Sequence, residues 1–235
     1  MRILAFDVST PVASVAVAEG EETLAEVFGP AEAKHGDILL STIETALERA
    51  RLTLARIDLI AVGIGPGSFT GVRVGLATAK GLALASGIPL RGVVSLRAMA
   101  RGAARTRGLI APMLDAYRNE VYWALYEPDD AGRLTEKLPP LNQTPEKTAE
   151  RLRAAADGNP VLLCGNGARK YQRQLAELLG EPARWAEPDL DAPRAAPLAQ
   201  EARITFEQQG PSDLGALEPL YLRGSDAQLP LKRMR

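Results

Sequence analysis

Three places in the chain combine residue types that do chemistry. Asp7 closes the apolar run ILAFD, and Ser9 and Thr10 follow at once. A carboxylate at a strand end beside hydroxyls can hold a metal-bound water next to a phosphate. The same order also describes a plain turn in which Asp accepts from nearby amides. The second place is GIGPGSFTG, Gly63 to Gly71, a glycine-rich turn fed by a short apolar run and followed by a helical pattern. Free amides at such a helix start attract anions. Its spacing matches neither nucleotide fingerprint: Val72-Arg73 follow Gly71 where a phosphate loop needs Lys-Ser/Thr. The third glycine of G-x-G-x-x-G falls on Ser68 counted from Gly63, and on Thr70 counted from Gly65. The third place is basic. Arg97, Arg101 and Arg105 recur every four residues, Arg107 is close by, and the chain ends Lys232-Arg233-Met234-Arg235. These cations either touch phosphate or make a solvated helix face and a frayed end, and the second reading is preferred.

Composition excludes several classes. There is one histidine, His35, and one cysteine, Cys164, whereas zinc sites draw on several such ligands. One histidine in what reads as a surface loop also supports no Ser-His-Asp arrangement. A single cysteine forms no internal disulfide, which fits a reducing cytoplasm, and Cys164 inside VLLCG reads as a buried thiol. A net charge of −1 gives no global excess for bulk nucleic-acid binding. The start of the chain shows no signal-peptide pattern. The most apolar helix, Val74 to Leu90, contains Lys80, three glycines and Pro89 and is too short and broken to span a bilayer. No membrane association is expected.

The elements that must position these residues follow from periodicity. Strands are expected at Ile3–Asp7, Val12–Ala18 and Thr23–Phe28, joined by short turns and so antiparallel. A helix over Gly36–Arg51, a buried strand over Ile57–Ile64, a helix over Gly71–Ser86 and a strand over Leu90–Val94 come next, then a helix over Leu96–Arg107. The opening pattern then recurs: LIAPMLD-AYRN-EVYWALY echoes ILAFD-VSTP-VASVAV. This suggests two copies of one strand-turn-strand start, with a first domain over 1–107 and a second over 108–235 whose last segment packs back on the first. In the second copy the spacing predicts a hairpin closed by residues 128–132, a Pro-containing connection over Leu138–Pro145 and a helix over Glu146–Ala156. A strand over Val161–Cys164, a helix from Gly165-Asn166-Gly167 to Leu179, an irregular stretch over Glu181–Pro193 and a helix over Ala195–Glu207 complete it.

The helix after the glycine turn is apolar almost all round, with only Arg73 and Lys80 charged between Gly71 and Leu90. Gly71, Gly75, Ala79 and Ala83 form a small-residue strip, and Val74, Ala77, Gly81 and Leu84 a second apolar line. A helix of this kind is buried in a large core or covered by a partner. Its second face needs either the helix over Gly36–Arg51 or another protein; in the second case the candidate partner surface is Ile38, Leu39, Thr42, Ile43 and Ala46 on the first helix and Val72, Gly75, Leu76, Ala79 and Ala83 on the second.

The block Gly65-Pro66-Gly67-Ser68-Phe69-Thr70-Gly71-Val72-Arg73, with ILAFDVSTPVASVAV before it, EVYWALY after it and PLYLR at Pro219–Arg223, resembles the TsaB (YeaZ) family over nearly the whole chain. The chain departs from the family's usual Asp-Ala-Arg-x-Gly-Glu-Val-Tyr in having Asp115-Ala116-Tyr117-Arg118-Asn119-Glu120-Val121-Tyr122. Asn119 in place of glycine is compatible with a left-handed turn. The resemblance implies an α/β fold of the actin-like, sugar-kinase-like class (ASKHA, ribonuclease H-like) with two related α/β domains. It implies a cytoplasmic, non-catalytic subunit that binds TsaD and supports threonylcarbamoylation of adenosine 37 in tRNAs reading ANN codons. TsaE would join the assembly, tRNA would be met through the complex, and the chain alone would pair as a homodimer. No cofactor of its own is implied, with ATP or ADP only at the complex interface. Ser95 and Met99 stand where the catalytic relative has two metal-binding histidines, so no metal site is expected. The alternative is a stand-alone small-molecule kinase or ATPase of the same fold, using Asp7, Ser9 and Thr10 on phosphate and Gly165-Asn166-Gly167 on nucleotide.

Overall fold

A computed structural model describes residues 1–30, 35–106, 108–181 and 183–223. The chain folds around two five-stranded mixed sheets. The first half contains β1 (Arg2–Asp7), β2 (Val12–Glu19), β3 (Glu22–Pro30), α1 (His35–Arg49), β4 (Leu59–Gly63), α2 (Phe69–Ser86), β5 (Leu90–Val93) and α3 (Ser95–Gly102). The second contains β6 (Leu109–Asp115), β7 (Val121–Pro128), β8 (Leu134–Gln143), α4 (Pro145–Ala156), β9 (Val161–Cys164), α5 (Asn166–Lys170), α6 (Gln172–Leu179), β10 (Ala183–Trp185) and α7 (Ala195–Gln209).

The strand orders are β3-β2-β1-β4-β5 and β8-β7-β6-β9-β10. In each sheet an antiparallel meander is followed by parallel strands at the same places. The repeated strand-turn-strand motif of the sequence is thus the start of two copies of one topology.

Strand alternation sorts the first sheet into two unlike faces. Leu4, Phe6, Val15, Val17, Ile60 and Val62 point to α1 and α2. Ile3, Ala5, Ala16, Leu59 and Ala61 point to α7. The alanine-rich face lets α7 lie close, through Leu198, Ala199 and Ala202. In the second sheet Leu109, Met113, Trp123 and Leu125 meet the residues of α4 and α6, whereas Ile110, Leu114, Ala124 and Tyr126 meet Leu96, Met99 and Ala100 of α3. The two middle helices are therefore exchanged: α3 leaves the first sheet to pack on the second, and α7 returns from the second to the first.

Glu201 of α7 is fully buried and ties the exchanged helices together. It accepts from Arg101 of α3 at 2.7 and 2.9 Å and pairs with Arg97. Arg97 also donates to the Leu134 carbonyl at 3.1 Å, and Arg101 to that of Gly132. Arg97 and Arg101 are thus neither a solvated face nor free for phosphate. They neutralise a carboxylate about a hundred residues away, which their own spacing does not disclose. Arg105 lies exposed beyond the end of α3. Arg107 and the basic tail at 232–235 lie outside the described residues.

Other sequence expectations need local correction. Leu138–Pro145 is not a connection: it holds the second half of β8 and the start of α4. Pro139 and Pro140 are tolerated because β8 is the edge strand, where a missing N–H costs no ladder bond. The stretch after Glu181 is not wholly irregular, since β10 adds in parallel to β9. Ile57–Ile64 shortens to β4 behind a 3-10 turn at Leu54–Arg56. The single helix expected up to Leu179 is split at Tyr171. His35 is the first residue of α1 rather than a loop residue. Cys164 is buried, and burial pushes its thiol up to about 12.

Removing the Glu201 carboxylate leaves two largely buried guanidinium groups without their counter-charge. Glu201→Ala should lower stability by about 3–5 kcal/mol, read from the midpoint of urea unfolding. A loss below about 1 kcal/mol would mean that the cluster is no stronger than a surface ion pair.

Candidate functional site

The cleft between the sheets is built from three loops. The first, Val8–Pro11, joins β1 to β2. Asp7 ends β1, and its Oδ1 accepts from the Ser9 amide at 2.8 Å and the Ser9 hydroxyl at 2.6 Å. Its Oδ2 accepts from the Ser95 hydroxyl at 2.6 Å. Asp7 is only 1% exposed, and burial raises its pKa against the lowering pull of the serine donors. The carboxylate therefore does not face the cleft. Ser9 and Thr10 are buried as well, and the Thr10 hydroxyl donates to the Val12 carbonyl at 3.0 Å. The near donors of Asp7 all belong to this chain, Ser9 in its own turn and Ser95 on α3.

The second loop is the glycine turn between β4 and α2. The Ser68 amide donates to the Ser9 carbonyl at 2.7 Å, and the Ser68 hydroxyl caps α2 by accepting from the Gly71 amide at 3.2 Å. The glycines are steric necessities. A Cβ at Gly67 would overlap the Ser9 carbonyl, and one at Gly71 the Val8 carbonyl. At Gly75 it would come within 2.5 Å of the Val8 side chain. The small-residue strip thus presses inward on β1, and the turn reads as close packing rather than as an anion cradle.

This settles the orientation of α2. Gly71, Val72, Gly75, Leu76, Ala79 and Ala83 are buried against the sheet. On α1, Leu39, Thr42, Ile43 and Ala46 are buried too, and Ile38 is half-buried. All the expected partner-surface residues except Ile38 are therefore part of this chain's own core. The exposed side of α2 is the other line, with Ala77 and Gly81 open and Leu84 73% exposed. Val74 is half-buried on the same side, and Leu40 of α1 is 44% exposed.

The third loop joins β6 to β7 and mirrors the first. Asp115 ends β6, and its Oδ1 accepts from the amide two residues on, that of Tyr117, at 3.1 Å. Its Oδ2 pairs with Lys170 at 2.8 Å. Tyr117, Arg118 and Asn119 all take positive φ, at 57°, 51° and 59°. Only Asn adopts this conformation readily, and it costs other L-residues roughly 1–2 kcal/mol. The C-terminal segment then crosses from one sheet to the other. The Ser212 amide donates to the Leu90 carbonyl and the Leu220 amide to that of Ile64, each at 2.8 Å. Arg223 pairs with Glu120 and donates to the Ala116 carbonyl at 3.1 Å. PLYLR is the far end of this strap. Its tertiary role carries no periodic signal, and only the family resemblance marks it out.

Ser95 and Met99 sit at the start and middle of α3. The Ser95 hydroxyl serves Asp7 and also accepts from the Gly65 amide at 3.2 Å. Met99 is a core thioether packed near Gly165. Among the described residues no three His, Cys, Asp or Glu side chains gather as a metal site needs. No described helix is long and apolar enough to cross a membrane.

The family model described as "TsaD: tRNA N6-adenosine threonylcarbamoyltransferase" matches residues 29–166. The tRNA threonylcarbamoyladenosine biosynthesis protein TsaB of Bacillus subtilis is 29% identical over 97% of this chain and 96% of its own. TsaB of Escherichia coli is 40% identical over 56% of this chain and 58% of its own. The solved structure of YeaZ from Pseudomonas aeruginosa superposes with a TM-score of 0.80 at 28% identity, covering 94% of this chain and 99% of that one. A ROK hexokinase from Thermus thermophilus, at 16% identity and a TM-score of 0.56 over 88% of this chain and all of its own, shares the fold alone. With an actin-like, sugar-kinase-like pair of α/β sheets and full-length kinship to TsaB and YeaZ, the chain belongs to the TsaB family.

Proposed function

We propose that this chain is a non-catalytic subunit of the tRNA threonylcarbamoyladenosine machinery, which docks a TsaD partner through the outer face of α1 and α2. The single observation that carries the reading is the exposed apolar line Ala77, Gly81 and Leu84 on α2, with Leu40 of α1 also exposed. Its small residues let another helix approach closely, and specific pairings of standard size bury roughly 1,200–2,000 Å² in total. The TsaD partner is taken from the kinship to TsaB, and the match of residues 29–166 to the TsaD model supports a place in the same machinery. In this reading TsaD transfers the threonylcarbamoyl group to adenosine 37 of tRNAs reading ANN codons, in the cytoplasm. TsaE joins the assembly, and the chain meets tRNA through the complex. Without TsaD the same face pairs two copies of this chain. The stand-alone kinase reading loses its main support, because Asp7 is fully engaged inside the chain.

Inner and outer faces of α2 respond differently to charge. Ala79→Glu puts a carboxylate in the core and should unfold the chain. Ala77→Glu and Leu84→Glu should leave the fold intact and weaken TsaD binding by tenfold or more, roughly the effect of losing an interface hot spot. Light-scattering mass of the mixed proteins and threonylcarbamoyl transfer to tRNA read both effects. Unchanged pairing by both outer variants would remove the docking assignment.

Asp7 supplies a second measurement. Its folded pKa is raised above its unfolded value, so its neutral form is favoured in the fold. Its contribution to stability is complete below the ordinary carboxylate pKa of about 3.9 and is lost as pH rises through the folded value. Asp7→Asn keeps an acceptor for Ser9 but cannot ionise. Its stability relative to the parent should therefore rise between acid and neutral pH, with support of TsaD retained. Parallel stability–pH curves, or abolished support in a folded variant, would count against a structural role for Asp7.

A further inference from the structure

One cavity of about 460 Å³ lies between the glycine turn, the β6–β7 loop and the strap. That size is within the range of small-molecule sites. The chain has only 5% aromatic residues, yet Phe69, Tyr117, Tyr122 and Tyr221 all line this cavity. Phe69, Tyr117 and Tyr221 are also exposed, at 42%, 66% and 45%. Water-exposed rings around one cavity leave apolar surface that a folded chain ordinarily buries. Tyr117 is presented there by a loop in three successive left-handed conformations, and backbone strain of this kind concentrates at ligand-binding positions.

The cation beside the rings is held in place. The Arg73 guanidinium stacks 3.7 Å from the centre of the Phe69 ring. Its Nε donates to the Tyr221 hydroxyl at 2.6 Å. The Phe69 and Tyr221 rings are themselves 5.3 Å apart. Arg73 is exposed and has no carboxylate partner among the described residues. The acid lining the cavity, Asp115, is already neutralised by Lys170.

We propose that this cavity binds one nucleotide, its base stacked among Tyr117, Phe69 and Tyr221 and its phosphate on Arg73. Stacking on aromatic side chains tolerates any base, because each has a π-face. A fixed arginine supplies the anion contact without naming a sequence. The site is contained in this chain, apart from the outer α1–α2 face, and so goes beyond the subunit role proposed above. The same chemistry is offered by a free nucleotide and by an unstacked nucleotide of an RNA strand.

The test uses the full chain alone, titrated with AMP in one arm and with a fluorescein-labelled single-stranded RNA oligonucleotide in the other. Saturable binding is expected in at least one arm. Binding by AMP identifies the free nucleotide as a source, and binding by the oligonucleotide alone identifies the strand. Tyr117→Ala and Tyr221→Ala should each weaken binding about tenfold, the loss of one stacking partner. Arg73→Gln should weaken it and flatten its salt dependence. Both tyrosines are largely exposed, so their truncation spares the core, and circular dichroism of each variant checks the fold. No binding by either ligand at millimolar concentration overturns the proposal. So does binding that all three variants leave unchanged. Variants that bind nucleotide normally but lose TsaD would make the cluster a protein contact and overturn it as well.

Discussion

The close approach of α2 to the end of β1 governs the rest of the molecule. It is possible only because positions 67, 71 and 75 carry no Cβ. Once the glycine turn lies on the Val8–Ser9 backbone, the Ser9 carbonyl is taken by the Ser68 amide and the Ser9 hydroxyl by Asp7. The same contact rotates α2 so that its smallest line faces the sheet. Its second apolar line must then face outward. Core packing and docking surface are two sides of one steric decision.

That contact also changes what a carboxylate at the end of β1 can do. Here Ser95 reaches across from the first turn of α3 and takes the second carboxylate oxygen. Gly63 leaves room for it, since a Cβ there would strike Asp7. Ser9, Asp7 and Ser95 thus form one closed hydrogen-bonded unit, with the Gly65 amide donating to Ser95. The counterpart Asp115 remains partly open and pairs with a lysine instead. Two copies of one topology have diverged in this detail.

Much of the architecture was legible because its signals are local. The antiparallel opening, the strand over Leu109–Asp115 and the helix from the glycine turn to Ser86 follow from periodicity and breakers. The repeat follows from two similar strand-turn-strand starts. What stayed hidden depends on distant partners. Two prolines in β8 look like a connection until the strand is known to be an edge. Arg97 and Arg101 look solvated until Glu201 is brought to them. Both long lines of α2 are apolar, so composition names two candidate faces and cannot say which one meets the sheet. The tight fit at Val8 decides it. Tyr117 and Tyr221 are about a hundred residues apart in sequence, so the aromatic cavity has no motif at all.

The exchange of α3 and α7 between the sheets bears on how the chain is made. A ribosome delivers the first sheet early, but one of its faces has no cover until residues 195–209 arrive. Domains that fold as units close one after another during synthesis. This protein departs from that order, because one face of its first sheet is covered by α7, the last of the described helices. The emerging half-chain carries a bare alanine-rich sheet face while about a hundred further residues, from the end of β5 to the start of α7, are made. Its small side chains make that waiting surface less adhesive than a leucine-rich face would be.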